Sequence, residues 1–431
     1  MPGEGSPDTI FALSSGRPPA AVAIVRTSGV KAQATARLLT RLPPPREAAL
    51  RTLRDPRDGR LLDQALVLRF DRPESATGED IVEYQCHGGR SVVDALLDTL
   101  GAIDGMRLAE PGEFTRRAFA NGRIDLTEAE GLADLLEAET EAQRRSALAH
   151  ASGGLRRQIE QWQRRLVDLS ARAEAAIDYV DEDEVESGDG ALRGDALGLA
   201  AELGEWLERP RIEPLRDGIR VVVAGPTNAG KSSLVNAISQ SDRAIVTAIP
   251  GTTRDTIDIP IAIGGVAFVL VDTAGLRDSG DHVEQIGIAR ARAEHARADI
   301  LLWLGEAEDC PDQSPSIFVH PRSDQPGRAK GPPGSLAISS HTRSGIDALL
   351  EQVMKTSRLL LPGEDMLALN RRQAEAVSAV RYELGAAGGS PDILLCAEHL
   401  RHARSGLDRL TGRAGVEDML DALFARFCLG K

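Results

Sequence analysis

Apolar positions change their spacing along the chain, and the changes mark its parts. Up to about residue 120, short apolar runs alternate with Gly and Pro breaks. Ala21–Val25 and Gln64–Leu68 have the form of buried strands, and Ser91–Leu100 has helical spacing, which predicts a compact α/β unit. From about Ile124 the pattern turns helical. Thr127 and Glu130 fit a capping box. Leu155, Ile159, Trp162, Leu166, Leu169, Ala173 and Ile177 step by threes and fours, the stripe of a bundle helix. The acidic run Asp181–Glu184 reads as a solvated helix end or loop.

From Gly218 strands alternate with helices. Arg220–Ala224, Val266–Val271, Ile300–Leu304, Ser316–Val319 and Leu336–Ile338 are the apolar strands, the rhythm of a doubly wound, mostly parallel sheet. Pro321–Gly334, rich in Pro, Gly and Arg, predicts a loop. Beyond Leu361 the chain is helical again, with Leu400, Ala403, Leu407 and Leu410 on one face. The two helical segments flank the α/β insert and are expected to pack as one discontinuous domain. The fold class is therefore multidomain α/β.

Composition narrows the function. At 431 residues the chain has room for three units of about 150 each. A net charge of −14 excludes a generally basic, phosphate-binding surface, and 3% aromatic residues argue against base-stacking platforms. No apolar run approaches the roughly 18 residues of a membrane span, and Met1–Glu4 lacks a signal-peptide layout. Cys86, Cys310, Cys396 and Cys428 form no CxxC pair, so neither a disulfide framework nor a zinc site is indicated. A soluble cytoplasmic protein is expected.

Gly225–Ser232 (Gly-Pro-Thr-Asn-Ala-Gly-Lys-Ser) matches GxxxxGK[ST], follows an apolar strand and opens a helix. Such a loop brings backbone N–H groups to phosphate oxygens, and the helix N-terminus adds positive potential. Asn228, Ala229, Gly230, Lys231, Ser232 and Ser233 are the candidate phosphate residues; Lys231 should reach the β- and γ-phosphates and Ser232 should place its hydroxyl on Mg²⁺. Asp272-Thr273-Ala274-Gly275 ends the next strong strand, where Asp272 can hold Mg²⁺ through water and the Gly275 N–H can meet the γ-phosphate. Gly251–Asp255 lies between, with Thr253 a candidate second Mg²⁺ hydroxyl. Together, in this order, these specify a GTPase domain.

Guanine offers two donors, N1–H and the 2-amino group, which one carboxylate can accept. Where GTPases usually carry Asn-Lys-x-Asp, this chain has Pro321-Arg322-Ser323-Asp324. Selectivity then rests on Asp324, with Ser339-Ser340 as the backbone-donor loop. Leu276 stands where many GTPases have a water-orienting Gln, so hydrolysis needs other help. The Asn228 side-chain carbonyl can coordinate K⁺ beside the phosphates, neutralising the charge an arginine finger meets elsewhere. Glu284 can hold the attacking water; the alternative is a surface or capping acid.

These residues resemble one family over nearly the whole length, the tRNA-modification GTPases called MnmE or TrmE. The P-loop, Thr247–Asp255 and Asp272–Arg277 resemble it, as do Thr77–Asp80, Gln85–Gly89, Pro111–Thr115 and the Cys-x-Gly-Lys ending at Cys428–Lys431. The resemblance implies an N-terminal folate-binding, dimerising domain (1–121), a helical domain in two parts (122–215 and 361–431) and an inserted G domain (216–360). It implies a homodimer with K⁺-stimulated GTP hydrolysis. Asn228, Thr247, Ile249 and Thr252 match the K⁺ positions, Ser232 and Thr253 the Mg²⁺ positions, and Glu284 the water-orienting glutamate. Ala248, Pro250, Thr273 and Ala274 complete the GTP-binding set. Arg26, Glu83, Arg123 and Lys431 match the contacts to a reduced folate (5,10-methylene- or 5-formyl-tetrahydrofolate). Cys428 is a candidate catalytic thiol, or a core residue four positions after Phe424. Cys86-His87, before a Gly-Gly turn, reads as structure rather than a metal site.

The resemblance further implies an FAD-dependent partner, MnmG (GidA), in a heterotetramer-like complex. Its reaction adds aminomethyl or carboxymethylaminomethyl groups to carbon 5 of the wobble uridine of certain tRNAs. One alternative is a GTP-dependent RNA-binding or ribosome-assembly switch without modification chemistry. Another, prompted by the missing Asn and Lys, is a P-loop ATPase.

Overall fold

The computed structural model describes residues 8–178, 186–241, 243–246, 258–272, 294, 296–311, 315–363, 366–413, 417–427 and 430. Two compact units form, Met1–Ala133 with Asp408–Lys431, and Asp134–Leu407.

The first unit is built on six strands, β1 (Thr9–Leu13), β2 (Val22–Ser28), β3 (Ala49–Arg54), β4 (Leu61–Phe70), β5 (Ile81–His87) and β6 (Met106–Leu108). Their order is β3-β4-β5-β2-β1-β6, antiparallel except where β6 runs parallel to β1. Helix α1 (Ala32–Leu39) and helix α2 (Arg90–Gly101) bury Ala36, Leu39, Val93, Leu96 and Leu100 with Val25, Leu53, Val67 and Tyr84 of the sheet. The two expected strands lie in β2 and β4 and the expected helix in α2. The edge strand β3, Ala-Leu-Arg-Thr-Leu-Arg, buries only Leu53 fully, so its sequence carries little strand signal.

Helix α3 (Glu113–Ala120) follows β6, and α4 (Leu126–Glu137) carries the chain into the second unit. The capping box expected at Thr127 and Glu130 sits two residues earlier. The Asp125 carboxylate accepts from the Glu128 N–H at 2.9 Å, and Glu128 accepts from the Asp125 N–H at 2.9 Å. Asp is as good an N-cap as Thr, and Thr127 instead donates its hydroxyl to Asp125 at 2.8 Å.

In the second unit, α5 (Glu141–Ala151), α6 (Gly154–Asp178), α7 (Glu186–Leu207) and α8 (Glu213–Arg216) precede the second sheet. The predicted stripe of α6 is buried from Leu155 to Ala173, and Trp162 meets Trp206 of α7 edge-on at 5.3 Å. The sheet has seven strands, β7 (Ile219–Ala224), β8 (Ala244–Val246), β9 (Asp258–Ile263), β10 (Val266–Asp272), β11 (Ile300–Trp303), β12 (Ser316–His320) and β13 (Leu336–Ala337). Its order is β13-β12-β11-β7-β10-β9-β8. The five strands expected from their apolar runs are the parallel ones. Their residues alternate between two cores: Val221, Val223 and Leu302 face one, Val222, Val271 and Trp303 the other. Burial on both faces is why these runs are continuous. The antiparallel β8 and β9 were not legible; β9 contains Pro260 and buries only Ile261 and Ile263 of its six residues.

Helix α9 (Lys231–Ser239) follows β7, and α10 (Ile346–Ser357) follows β13. Later come α11 (Arg371–Gly389), α12 (Ile393–Thr411) and α13 (Glu417–Phe424). Helix α11 packs along α7, joining helical segments from either side of the insert. Leu400, Ala403, Leu407 and Leu410 of α12 are fully buried. Among the described residues no helix is long and apolar enough to cross a membrane.

Candidate functional site

Parallel strands deliver their carboxyl ends to one edge of a sheet, where α/β proteins bind ligands. At that edge β7 runs into Gly225, β10 ends at Asp272, β12 runs into Pro321–Asp324 and β13 into Ser339-Ser340. Topology thus gathers residues lying 47 to 115 positions beyond Gly225 into one rim with the P-loop.

The P-loop itself is locally determined. Gly230, at φ 101°, caps α9, and Asn228 holds φ 60° without a glycine's freedom. Asn228 is exposed, as are Ser232 and Ser233 in the first turn of α9. Lys231 is buried, its ammonium donating to the carbonyls of Gly225 (3.1 Å) and Pro226 (2.8 Å). That places a held positive charge and a helix N-terminus at the same loop, a pairing suited to a polyphosphate.

Opposite, the Asp324 carboxylate is exposed and its pKa is lowered, first by the hydrogen bond from the Ser339 hydroxyl, then by its own backbone N–H, with the charge of His341 adding. Ser339 is fully buried; its N–H donates to Ser344 at 2.9 Å, and its hydroxyl oxygen accepts from the Thr342 N–H at 3.1 Å. The two segments chosen for base recognition therefore meet.

Arg322 was not assigned a role from the sequence. Its Nη2 donates to the Asn228 backbone carbonyl at 2.7 Å, tying the Pro321–Asp324 loop to the P-loop. The signal was present: a long cation in the second place of the altered Asn-Lys-x-Asp. Arg220 was missed too. It binds Asp258 in a two-point contact (2.9 and 3.2 Å) and Glu294 at 2.6 Å. These carboxylates stand where the described chain resumes after 247–257 and 273–293. Thr247, Ala248, Ile249, Pro250, Gly251, Thr252, Thr253, Thr273, Ala274, Gly275 and Glu284 lie within those segments, outside the described residues; Cys428 and Lys431 also lie outside the described residues.

In the first unit Arg26 and Glu83 are register partners across β2 and β5. Arg26 contacts Glu83 through Nε (2.9 Å) and Nη2 (2.7 Å) and lies 5.7 Å from the centre of the Phe114 ring. Arg123 is 4.0 Å from Glu74 and packs beside Gly78. Ser28, two positions along β2 from Arg26, meets Thr77 at 2.7 Å. Contacts thus link the surroundings of Arg26 and Arg123. A buried hub, also unpredicted, organises this region. Arg117 binds Glu79 (3.2 Å), Glu113 (2.9 Å) and Asp8 (2.9 Å), and Ser28 donates to Glu79 at 2.8 Å. The Thr77–Asp80 and Pro111–Thr115 motifs each supply one of its carboxylates.

The chain terminus reaches the same sheet. Phe424 of α13 packs on Phe119 with ring centres 6.4 Å apart. Gly112, at φ 72°, admits it closely: a Cβ there would lie 2.3 Å from the Phe424 carbonyl. Further on, the Gly430 carbonyl accepts from the Ser14 hydroxyl at 2.9 Å. Cys86 is buried, with burial pushing its thiol pKa up, and exposed His87 binds Asp63 at 2.8 Å.

Residues 9–123 match the family profile described as GTP-binding protein TrmE N-terminus, and residues 126–428 that of the MnmE helical domain. The chain is 54% identical over 426 residues to the tRNA modification GTPase MnmE of Erythrobacter litoralis, covering 98% of this chain and 100% of that one. The protein of the same name from Novosphingobium aromaticivorans is 51% identical over 435 residues, with 98% and 100% covered. Among solved structures, the G domain of the T. maritima FeoB iron transporter is similar at 23% identity and TM-score 0.23, covering 32% of this chain and 98% of that one.

Proposed function

The chain belongs to the tRNA-modification GTPase family MnmE, and from that premise we propose that it is a K⁺-stimulated GTPase acting in wobble-uridine modification. The observation that carries the reading is the shared rim, where Lys231 and Asn228 stand on one loop and Asp324 on the next, joined by Arg322. GTP is the substrate. Lys231 would neutralise its β- and γ-phosphates while the first turn of α9 offers backbone N–H groups. Asp324 would accept from both guanine donors. With the Ser339 N–H already engaged, backbone donation falls to Ser340.

The exposed oxygens of Asn228 and Ser232 fit hard cations, which take oxygen ligands. Ser232 and Thr253 would hold Mg²⁺; Asn228, Thr247, Ile249 and Thr252 would hold K⁺. When bound, these ions supply positive charge against the developing charge of phosphoryl transfer. Glu284 would orient the water. In the first unit, Arg26, Arg123 and Lys431 are basic groups suited to the carboxylates of a reduced folate, and Glu83 fixes Arg26 in place. A folate bound there would supply a one-carbon unit. Cys428 stands as a candidate catalytic thiol. The domain division proposed is 1–121, 122–215 with 361–431, and 216–360, as a cytoplasmic homodimer working with an FAD-dependent MnmG (GidA) partner on tRNA.

Single-turnover GTP hydrolysis in K⁺ and in Na⁺ at equal ionic strength tests the cation; equal rates reject it. Glu284→Ala should slow hydrolysis and spare binding. For the modification, nucleosides from tRNA of cells lacking the protein should show altered wobble uridines, and unchanged ones would favour a switch without modification chemistry.

A further inference from the structure

We propose that Glu383, His399 and His402 form a binding site for a divalent transition-metal ion, Zn²⁺ foremost, that clasps α11 to α12. The site is remote in sequence from the P-loop and no step of GTP hydrolysis uses it.

The sequence places it simply. His399 and His402 are three residues apart on α12, so their rings share one helical face. Residues 390–392 turn the chain back, which brings Glu383 of α11 alongside that face. Glu383 Oε2 lies 2.7 Å from His399 Nδ1 and 3.8 Å from His402 Nδ1. One donor atom from each of the three residues lies within 4.8 Å of the others. A tetrahedral ion with bonds of about 2.0–2.1 Å spaces its ligand atoms about 3.3 Å apart, between the two measured separations. Small side-chain rotations therefore suffice to bind.

The surroundings of His402 give a second, independent indication. A histidine that ligates through one nitrogen commonly donates from the other to a carboxylate, which fixes its tautomer and strengthens it as a ligand. With Nδ1 turned towards Glu383, His402 has Nε2 at 3.2 Å from Glu398. Glu398 is in turn gripped by Arg401 at 2.6 and 2.9 Å. Glu398 stands one turn before His402 on α12, so the helix itself holds this carboxylate at the second nitrogen. His402 is half exposed, and Glu383 and His399 are part-buried, so an ion has an entry path.

Two imidazoles and one carboxylate make a nitrogen–oxygen set suited to Zn²⁺ or Co²⁺ rather than to Mg²⁺, which prefers oxygen and retained water. Three protein ligands leave a fourth position for water. The expected effect is a metal-dependent rise in the stability of the α11–α12 hairpin, since the ion binds the folded pair and bridges its helices.

The test uses the full chain. Co²⁺ titration should give the visible ligand-field bands of tetrahedral coordination at one equivalent, and Zn²⁺ should abolish them. His402→Ala should remove the bands, and Glu398→Gln should weaken Zn²⁺ binding about tenfold or more in calorimetry, the usual cost of losing an outer-shell partner. Melting without metal checks that both variants fold, as expected for exposed positions. Zn²⁺ should raise the melting temperature of the parent chain and leave His402→Ala unmoved. Equal Zn²⁺ stoichiometry and affinity in parent and His402→Ala, or octahedral Co²⁺ spectra, would overturn the site and leave only hydrogen-bonded surface pairs.

Discussion

Arg322 donates to the Asn228 carbonyl at 2.7 Å, and both residues hold left-handed backbones, at φ 62° and 60°. Neither is glycine, so each conformation carries a local cost that the loop-to-loop contact helps offset. The contact fixes the distance between the loop that would hold phosphates and the loop that would hold the base. Arg322→Ala should weaken GTP and GDP binding alike, by about fivefold, the worth of one partly solvated charge-assisted hydrogen bond. Arg322→Lys should recover most of it. Titration with a fluorescent GDP checks this, and an unchanged affinity for Arg322→Ala would remove the clamp.

Asp324 can take both guanine donors only as a carboxylate. Asp324→Asn replaces one acceptor by a donor that opposes guanine, so GTP binding should fall about 10- to 100-fold while ATP binding changes little. Competition of ATP against GTP reads the ratio. The Ser339 hydroxyl and its companions lower the Asp324 pKa, so the charged form persists below the ordinary carboxylate range. GTP affinity is then retained on acidification until that lowered value is reached. Ser339→Ala should move the loss of affinity to higher pH; a shift to lower pH would contradict the assignment.

Much of the second unit was readable because its parallel strands are covered on both faces, which forces continuous apolar runs such as Val266–Val271. The P-loop was readable because a glycine-rich turn between such a strand and a helix has few other uses. Strand β9 escaped because four of its six residues stay partly exposed and one of them is Pro260. Arg220, Arg322 and Arg117 escaped for a different reason. An arginine's partners are set by tertiary approach: Arg117 finds Glu79 38 positions away and Asp8 109 positions away. Nothing in local spacing distinguishes these from the chain's many solvated arginines.

Arg117 is 7% exposed and faces three carboxylates, so its removal leaves buried negative charge without a partner. Arg117→Met should destabilise the first unit by about 3–5 kcal/mol. Glu113 shows the pH sense. Burial alone would raise its pKa, but Arg107, the Glu110 N–H and Arg117 together bring it below the ordinary carboxylate value. A lowered native pKa means stability that is full above the unfolded value and declines as pH falls towards the native one. Without Arg117 the acid decline should begin at higher pH. Denaturation followed between neutral pH and pH of about 4 measures both effects, and a variant as stable as the parent would mean that Arg107 alone satisfies the cluster.

Gly430 holds φ 93° beside β1, and a Cβ there would stand 2.2 Å from the Leu13 carbonyl oxygen. Backbone cannot yield as a flexible side chain does, so Gly430→Ala should unseat the last residues. Leu13 pairs with Val25, and Ala12 with Arg26, so the displaced segment borders the proposed folate positions. If Lys431 contributes to that site, Gly430→Ala should lower affinity for 5-formyl-tetrahydrofolate at least tenfold, and deletion of Lys431 should do the same. Ser14→Ala loses only the 2.9 Å hydrogen bond to Gly430 and should cost about two- to fivefold. Calorimetry gives the affinities, and carboxypeptidase sensitivity reports independently whether the terminus has come free. A terminus released to the protease with folate affinity intact would separate the docking of Gly430 from ligand binding and remove Lys431 from the site.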